Sequence, residues 1–399
     1  MMDYLTAKEQ EQMYLAHTYN RYPALMVRGE GSCLYDSDGK CYIDLGSGIG
    51  VNAFGYSDRI WADAVSDQLR TLQHTSNIYL TQPGVELARA LCEKTGMCRV
   101  FFGNSGAEAN ECAIKTARKY SLDRYADAGR NVIVTLHSSF HGRTLATLAA
   151  TGQDAFHHTF GPFPEGFAYV QPGDLAALEA LIATGKVCAF MCEIVQGEGG
   201  VIPLDGDYLK QVQALCQAKD VLFIVDEVQT GNGRTGKMYA YEHFDLTPDI
   251  VSTAKGLGGG LPIGACLFSE KTKDTLTPGT HGSTFGMNPA VCAGALTVVN
   301  RLDDAFLRSV SEKGDRIRET LSASKHVKSI CGLGLMLGIE TDLNASAVAK
   351  KCFEHGVLIL TAKTKLRLLP PLNIKISVLD NALNIILEVL EDEASAEAV

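Results

Sequence analysis

The run Val221-Leu222-Phe223-Ile224-Val225 is apolar at every position and stops at an acid, Asp226. A strand with one wet face alternates apolar and polar residues, so an unbroken run of this length belongs inside a parallel sheet covered on both faces. Short apolar runs recur at 132–136, 168–170, 189–193, 250–253 and 263–268, with helical patterns between them from about Trp61 to Phe285. Such alternation predicts an α/β fold with a mostly parallel central sheet flanked by helices. At 399 residues the chain is too long for a single core. The pattern divides it into a large domain over 56–286 and a smaller α+β domain over 287–399. An N-terminal segment, 1–55, is grouped with the small domain and carries a hairpin around Ser37-Asp38-Gly39.

Ligands of an open α/β sheet sit in the crevice outside the carboxyl ends of its strands. Two strand ends bring chemistry there. One stops at Asp226-Glu227-Val228-Gln229, and the other, Asp249 to Ala254, stops at Lys255 before a glycine-rich stretch. A lysine and a carboxylate facing one crevice suit pyridoxal phosphate (PLP). The amine forms a Schiff base, and the carboxylate keeps the pyridine nitrogen protonated so that the ring withdraws electrons. The phosphate would need fixed donors, which the first turn of a helix supplies together with the positive end of its dipole. Gly103-Asn104-Ser105-Gly106-Ala107-Glu108 fits that need: Ser105 and Glu108 have capping-box spacing, and Gly106 admits an anion close to the backbone.

Other chemistries find less support. Gly48-Ile49-Gly50 has the glycine spacing of a dinucleotide-binding turn, but Phe54-Gly55-Tyr56 follows where a helix should begin. No Walker-type phosphate loop occurs. His137 and His141, with His157 and His158 nearby, raise a zinc site, yet the intervening Ser-Ser-Phe lies at a strand end, where helical ligand spacing does not hold. The net charge of −10 argues against a nucleic-acid groove, and no apolar segment approaches a membrane span. Twelve scattered cysteines with no Cys-x-x-Cys pair read as reduced thiols of a cytoplasmic protein.

With these pieces placed, the chain resembles the class III aminotransferases of PLP fold type I over essentially its whole length, and within them the acetylornithine aminotransferases. The resemblance is carried by Gly-Asn-Ser-Gly-Ala-Glu-Ala-Asn (103–110), Phe-His-Gly-Arg-Thr (140–144), Gln-Gly-Glu-Gly-Gly (196–200), Asp-Glu-Val-Gln-Thr-Gly (226–231), Ala-Lys-Gly-Leu (254–257), His-Gly-Ser-Thr-Phe-Gly (281–286) and Arg-Leu-Leu-Pro-Pro-Leu (367–372). It implies that Lys255 is the Schiff-base lysine and Asp226 the partner of the pyridine nitrogen. It further implies that Phe140 and Val228 cover the two ring faces, Gln229 reaches the ring hydroxyl, and Ser105, Gly106 and Ala107 hold the phosphate. Thr284 would reach the phosphate from the neighbouring subunit, so the active site would exist only in a homodimer.

For substrate, the resemblance implies Arg143 at the carboxylate distal to the reacting amine, Arg367 at the α-carboxylate of glutamate, Ser283 beside them, and Glu198 as a switch that pairs with Arg367. Guanidinium suits a carboxylate because its fork donates two parallel hydrogen bonds. The expected reaction moves the δ-amine of N²-acetyl-L-ornithine to 2-oxoglutarate, giving N-acetyl-L-glutamate 5-semialdehyde and glutamate, a step of arginine biosynthesis. Gly48 stands where ornithine-specific relatives carry a tyrosine, which leaves room for an acylated amine. Succinylornithine, ornithine, 4-aminobutyrate and succinyldiaminopimelate remain alternative donors, and a catalytically silent PLP-fold binding protein is the reading from another class.

Overall fold

The computed structural model describes residues 2–126 and 128–397. Its central sheet has seven strands in the spatial order Arg99–Gly103, Gly264–Phe268, Ile250–Thr253, Leu222–Asp226, Val187–Cys192, Val132–Leu136, Phe167–Val170. Six of them run in one direction, and Gly264–Phe268 alone is reversed, antiparallel to both its neighbours. The strand Leu222–Asp226 sits at the centre with every residue buried, as its unbroken apolar run requires. Full burial of its four apolar side chains is worth roughly 1.5–3 kcal/mol each before the entropy of ordering is set against it. The edge strand Arg99–Gly103 is an addition to the strands read from the sequence. It leads directly into the helix Gly106–Tyr125, which packs across the strands beside it.

That helix approaches the sheet so closely that position 264 must be glycine: a Cβ there would lie 2.0 Å from the Ser105 carbonyl oxygen. Close approach fixes where the helix N-terminus points. It opens at the same sheet edge as Asp226, which pairs in register with Ser252, three residues before Lys255.

Besides a two-stranded pair, Val195–Gln196 with Ile202–Pro203, the described residues form two further four-stranded sheets. One joins Met26–Glu30, Cys33–Asp36 and Cys41–Asp44 to Val357–Leu358 near the other end of the chain. The predicted hairpin is its middle pair, with Asp36 Oδ1 accepting from the backbone N–H groups of Asp38 and Lys40 to fix the turn. The other sheet has the order Val327–Leu333, Met336–Thr341, Lys365–Leu368, Leu360–Ala362, and it presents Arg367. Helices Asp304–Leu321, Ala345–Glu354 and Ile376–Glu397 cover these strands. The helix Pro289–Arg301 packs instead against Arg59–Thr71 and Gln82–Thr95. No described helix is long and apolar enough to cross a membrane.

Candidate active site

Asp226 ends the central strand and is 3% exposed. A carboxylate so deeply buried is tolerable only if its oxygens are occupied. Three donors meet it. The Asn110 side-chain amide donates at 2.7 Å and His141 Nδ1 lies at 2.8 Å, both on Oδ2, while the Val228 backbone N–H donates to Oδ1 at 3.0 Å. Burial alone would push the His141 imidazole down, but the Asp226 carboxylate overrides it and holds the ring above the usual histidine range. The pair is a buried histidine–carboxylate contact that lines the crevice.

Lys255 opens a short 3₁₀ turn, Lys255–Gly258, with its backbone in the left-handed region at φ 44°. A non-glycine residue there costs on the order of 1 kcal/mol and persists where surrounding structure imposes it. Desolvation pushes the ammonium below the ordinary lysine range, against the opposing pull of Glu198 and Asp226. A lysine of this kind is readily deprotonated and nucleophilic. Lys255 and Asp226 line one cavity of 420 Å³ together with Ser105, Gly106, Ala107, Phe140, Val228 and Gln229.

The Gly106–Tyr125 helix begins on this cavity. Ser105 is its N-cap, its hydroxyl accepting from the Glu108 N–H at 3.2 Å. The capping box expected from spacing is altered: the Glu108 carboxylate reaches the backbone N–H of Asn104, one residue before the cap. First-turn N–H groups at Gly106 and Ala107 precede any acceptor within the helix, and they face a site that suits an anion. Gly106 also has no room for a side chain, because a Cβ there would be 2.7 Å from Val228 Cγ1.

Arg367 is 4% exposed and its Nη1 donates to Glu198 Oε1 at 2.6 Å and to Gln229 Oε1 at 3.4 Å. Through Gln229 this ion pair adjoins the cavity. Burial would raise the Glu198 carboxyl, yet the Arg367 guanidinium holds it below the usual carboxylate range. Arg143 is exposed, with its guanidinium carbon 5.6 Å from the centre of the Phe140 ring and 5.1 Å from that of Phe156. Ser283 and Thr284 lie elsewhere, on a separate cavity of 320 Å³ with Asn104, Glu108 and His281. There Ser283 Oγ accepts from the Asn104 amide at 3.2 Å, and Thr284 is exposed.

Three residues of the site have no role here in the sequence reading: Asn110; His141, which figures there only as a zinc ligand; and Glu193. The first two grip Asp226. Glu193 follows the strand Val187–Cys192, whose Cys192 pairs with Val225, so Glu193 and Asp226 emerge side by side. It lines the same cavity, and burial pushes its carboxyl up to about 7, with His141 opposing and Asp226 adding to the rise. The signal was present, since 189–193 is an apolar run that ends in an acid just as 221–226 does. Among the described residues, no three His, Cys, Asp or Glu side chains cluster as metal ligands.

Comparison with known proteins places these observations in a family. The model for "Aminotransferase class-III" matches residues 14–390. An acetylornithine aminotransferase of Haemophilus ducreyi is 51% identical over 387 residues, covering 96% of this chain and 98% of the relative. One from Methanocaldococcus jannaschii is 44% identical over 388 residues, covering 96% and 97%. Among solved structures, the ornithine aminotransferase of Toxoplasma gondii, whose active site holds PLP at partial occupancy, superposes with a TM-score of 0.93 at 30% identity, covering 99% of this chain and 96% of that one. The N-acetylornithine aminotransferase of Stenotrophomonas maltophilia gives 0.84 at 33% identity, covering 97% and 99%.

Proposed function

Because the chain belongs to the class III aminotransferases, we propose that it moves the δ-amine of N²-acetyl-L-ornithine to 2-oxoglutarate with pyridoxal phosphate as cofactor. The observation that carries the reading is the joining of Lys255 and Asp226 in one cavity whose margin holds the Glu198–Arg367 pair. The residues fit the cofactor. Ser105, Gly106 and Ala107 offer hydroxyl and first-turn N–H donors to its phosphate, and the missing side chain at Gly106 leaves the close approach an anion needs. Asp226, held by Asn110 and His141, would accept the pyridine N–H. Phe140 and Val228 would enclose the ring, and Gln229 would donate to its hydroxyl. Bound there, PLP would supply an electron sink for the carbon that carries the amine.

The chain's own groups do the rest. The Lys255 amine, whose charged form desolvation disfavours, takes and returns a proton at Nζ. Arg367 binds the α-carboxylate of glutamate or 2-oxoglutarate. When the donor has no carboxylate at that end, Glu198 neutralises Arg367 instead, so one pocket serves two unlike substrates in turn. Arg143, at the exposed mouth above Phe140, would receive the distal carboxylate, whereas Ser283 lies with Thr284 on the separate cavity.

Three wider features belong to the same proposal. Thr284 lies outside the single-chain cavity, and Ile78, Tyr79 and Leu80 are 84%, 65% and 86% exposed; both facts support a homodimer in which Thr284 completes the partner's phosphate site. Residues 1–55 group with 287–399 around a large domain at 56–286. The pairing of Val357–Leu358 with Cys41–Asp44 supports this, while the helix Pro289–Arg301 acts as the join because it packs on the large domain. Twelve free thiols support a reducing cytoplasmic setting.

Purified protein loaded with PLP should show visible absorption that N-acetylornithine depletes faster than ornithine, 4-aminobutyrate or succinyldiaminopimelate. Lys255→Ala should lose both that absorption and turnover. Retention of turnover in the variant would refute the cofactor assignment, and faster depletion by another amine would refute the substrate.

A further inference from the structure

Glu193 has both carboxylate oxygens engaged by backbone. Oε2 accepts from the Phe140 N–H at 3.0 Å, and Oε1 accepts from the Gly197 N–H at 3.3 Å. Those two N–H groups belong to different segments: Phe140 forms the cavity wall, and Gly197 immediately precedes Glu198. The segments lie in direct contact. A Cβ at Gly199 would be 2.7 Å from the Ser138 carbonyl, one at Gly197 would be 2.4 Å from Gln229 Oε1, and the Gln196 amide donates to the His137 carbonyl at 2.9 Å.

We propose that Glu193 is a positioning residue that ties the Phe140 wall to the 197–199 turn and thereby sets how firmly Glu198 holds Arg367. The inference rests on the aminotransferase reading and deepens it: donor discrimination depends on a buried acid that contacts neither arginine. Loosening the turn weakens the Glu198–Arg367 contact. Amines without a carboxylate at that end then meet an uncompensated guanidinium, whereas glutamate brings its own carboxylate.

Glutamine at this position keeps the shape but can accept from only one of the two N–H groups, and its own amide would face the other. Because hydrogen bonds to a charged acceptor are the strong ones, Glu193→Gln should lower the ratio of kcat/KM for N-acetylornithine to that for glutamate by about tenfold. In a Glu198→Gln background the same change should add less than about twofold, since the effect runs through Glu198. An unchanged ratio in the single variant, or an equal fall in both backgrounds, would overturn the proposal.

A second measurement decides the matter should Glu193→Gln not fold. Protonated Glu193 accepts more weakly from the two N–H groups than the carboxylate does, and its carboxyl stands near 7 through burial, facing His141, Asp226 and Lys255. The wild-type ratio should therefore fall as pH drops through about 7, because titrations common to both substrates cancel in it. A ratio that is flat from pH 6 to 8 would overturn the proposal. Failure of wild-type protein to bind PLP or to turn over either amine would instead strike the aminotransferase reading itself.

Discussion

Replacing Glu198 by glutamine tests the substrate switch directly. The side chain stays the same size, but Arg367 Nη1 exchanges a charged acceptor at 2.6 Å for a neutral one, leaving Gln229 Oε1 at 3.4 Å as its other partner. Arg367 is only 5% exposed at its side chain, while Glu198 is 34% exposed. Loss of a hydrogen bond to a charged group costs about 1.5–3 kcal/mol, and partial exposure of Glu198 places this case near 2 kcal/mol. That penalty falls on any complex whose ligand leaves Arg367 without an anion. For N-acetylornithine, kcat/KM should drop roughly 30-fold, because 1.4 kcal/mol is a factor of ten. For glutamate, whose α-carboxylate takes the place of Glu198, the change should stay within about threefold. Stopped-flow measurement of the two half-reactions, following the visible absorption of bound PLP, separates these effects. Equal losses for both donors would refute the reasoning, since a merely disordered pocket would penalise them alike.

Three further outcomes follow from the geometry. Asn110→Ala removes the 2.7 Å bond to buried Asp226 and should weaken PLP binding about tenfold or more in a titration of apoprotein, whereas an unchanged affinity would show that His141 alone suffices. Burial raises Glu227 from 4.5 to about 7, so the native state keeps a proton that the unfolded chain releases above 4.5. Stability relative to a Glu227→Gln variant should therefore fall as pH rises from 4.5 to 7 and level off above, by on the order of 3 kcal/mol in denaturant titrations at pH 5 and 8; a constant difference would contradict it. Gly264→Ala would put a methyl 2.0 Å from the Ser105 carbonyl, and the forced shift should cost about 1–3 kcal/mol in thermal unfolding and weaken phosphate binding as the helix N-terminus retreats.

The parts of this site that the sequence made legible are those where one strand ends in one functional side chain. Asp226 and Lys255 follow apolar runs, and the structure puts them at the carboxyl ends of adjacent parallel strands. The strand Arg99–Gly103 carries no comparable mark, because an edge strand of five residues has little periodicity of its own. Likewise the strand Val327–Leu333 mixes half-buried and exposed positions, so no clean alternation marks it. The Asn110–Asp226–His141 cluster was hidden for a different reason. Its members lie on a helix, a strand end and a loop, 116 and 85 residues from Asp226, and no local spacing announces such a meeting. The Glu198–Arg367 pair, 169 residues apart, became visible only through a family likeness of its two segments.

The sheet that joins Cys41–Asp44 to Val357–Leu358 imposes an order on events at the ribosome. Ile43 and Leu45 hydrogen-bond to the carbonyls of Gly356 and Leu358, at 2.8 and 2.9 Å, so the early strand has an unmet edge until about 310 more residues have been made. At 5–20 residues per second that wait lasts roughly 15–60 s. Throughout it the nascent chain carries an open strand capable of pairing with another nascent copy, so premature termination anywhere before residue 357 leaves that edge permanently uncapped.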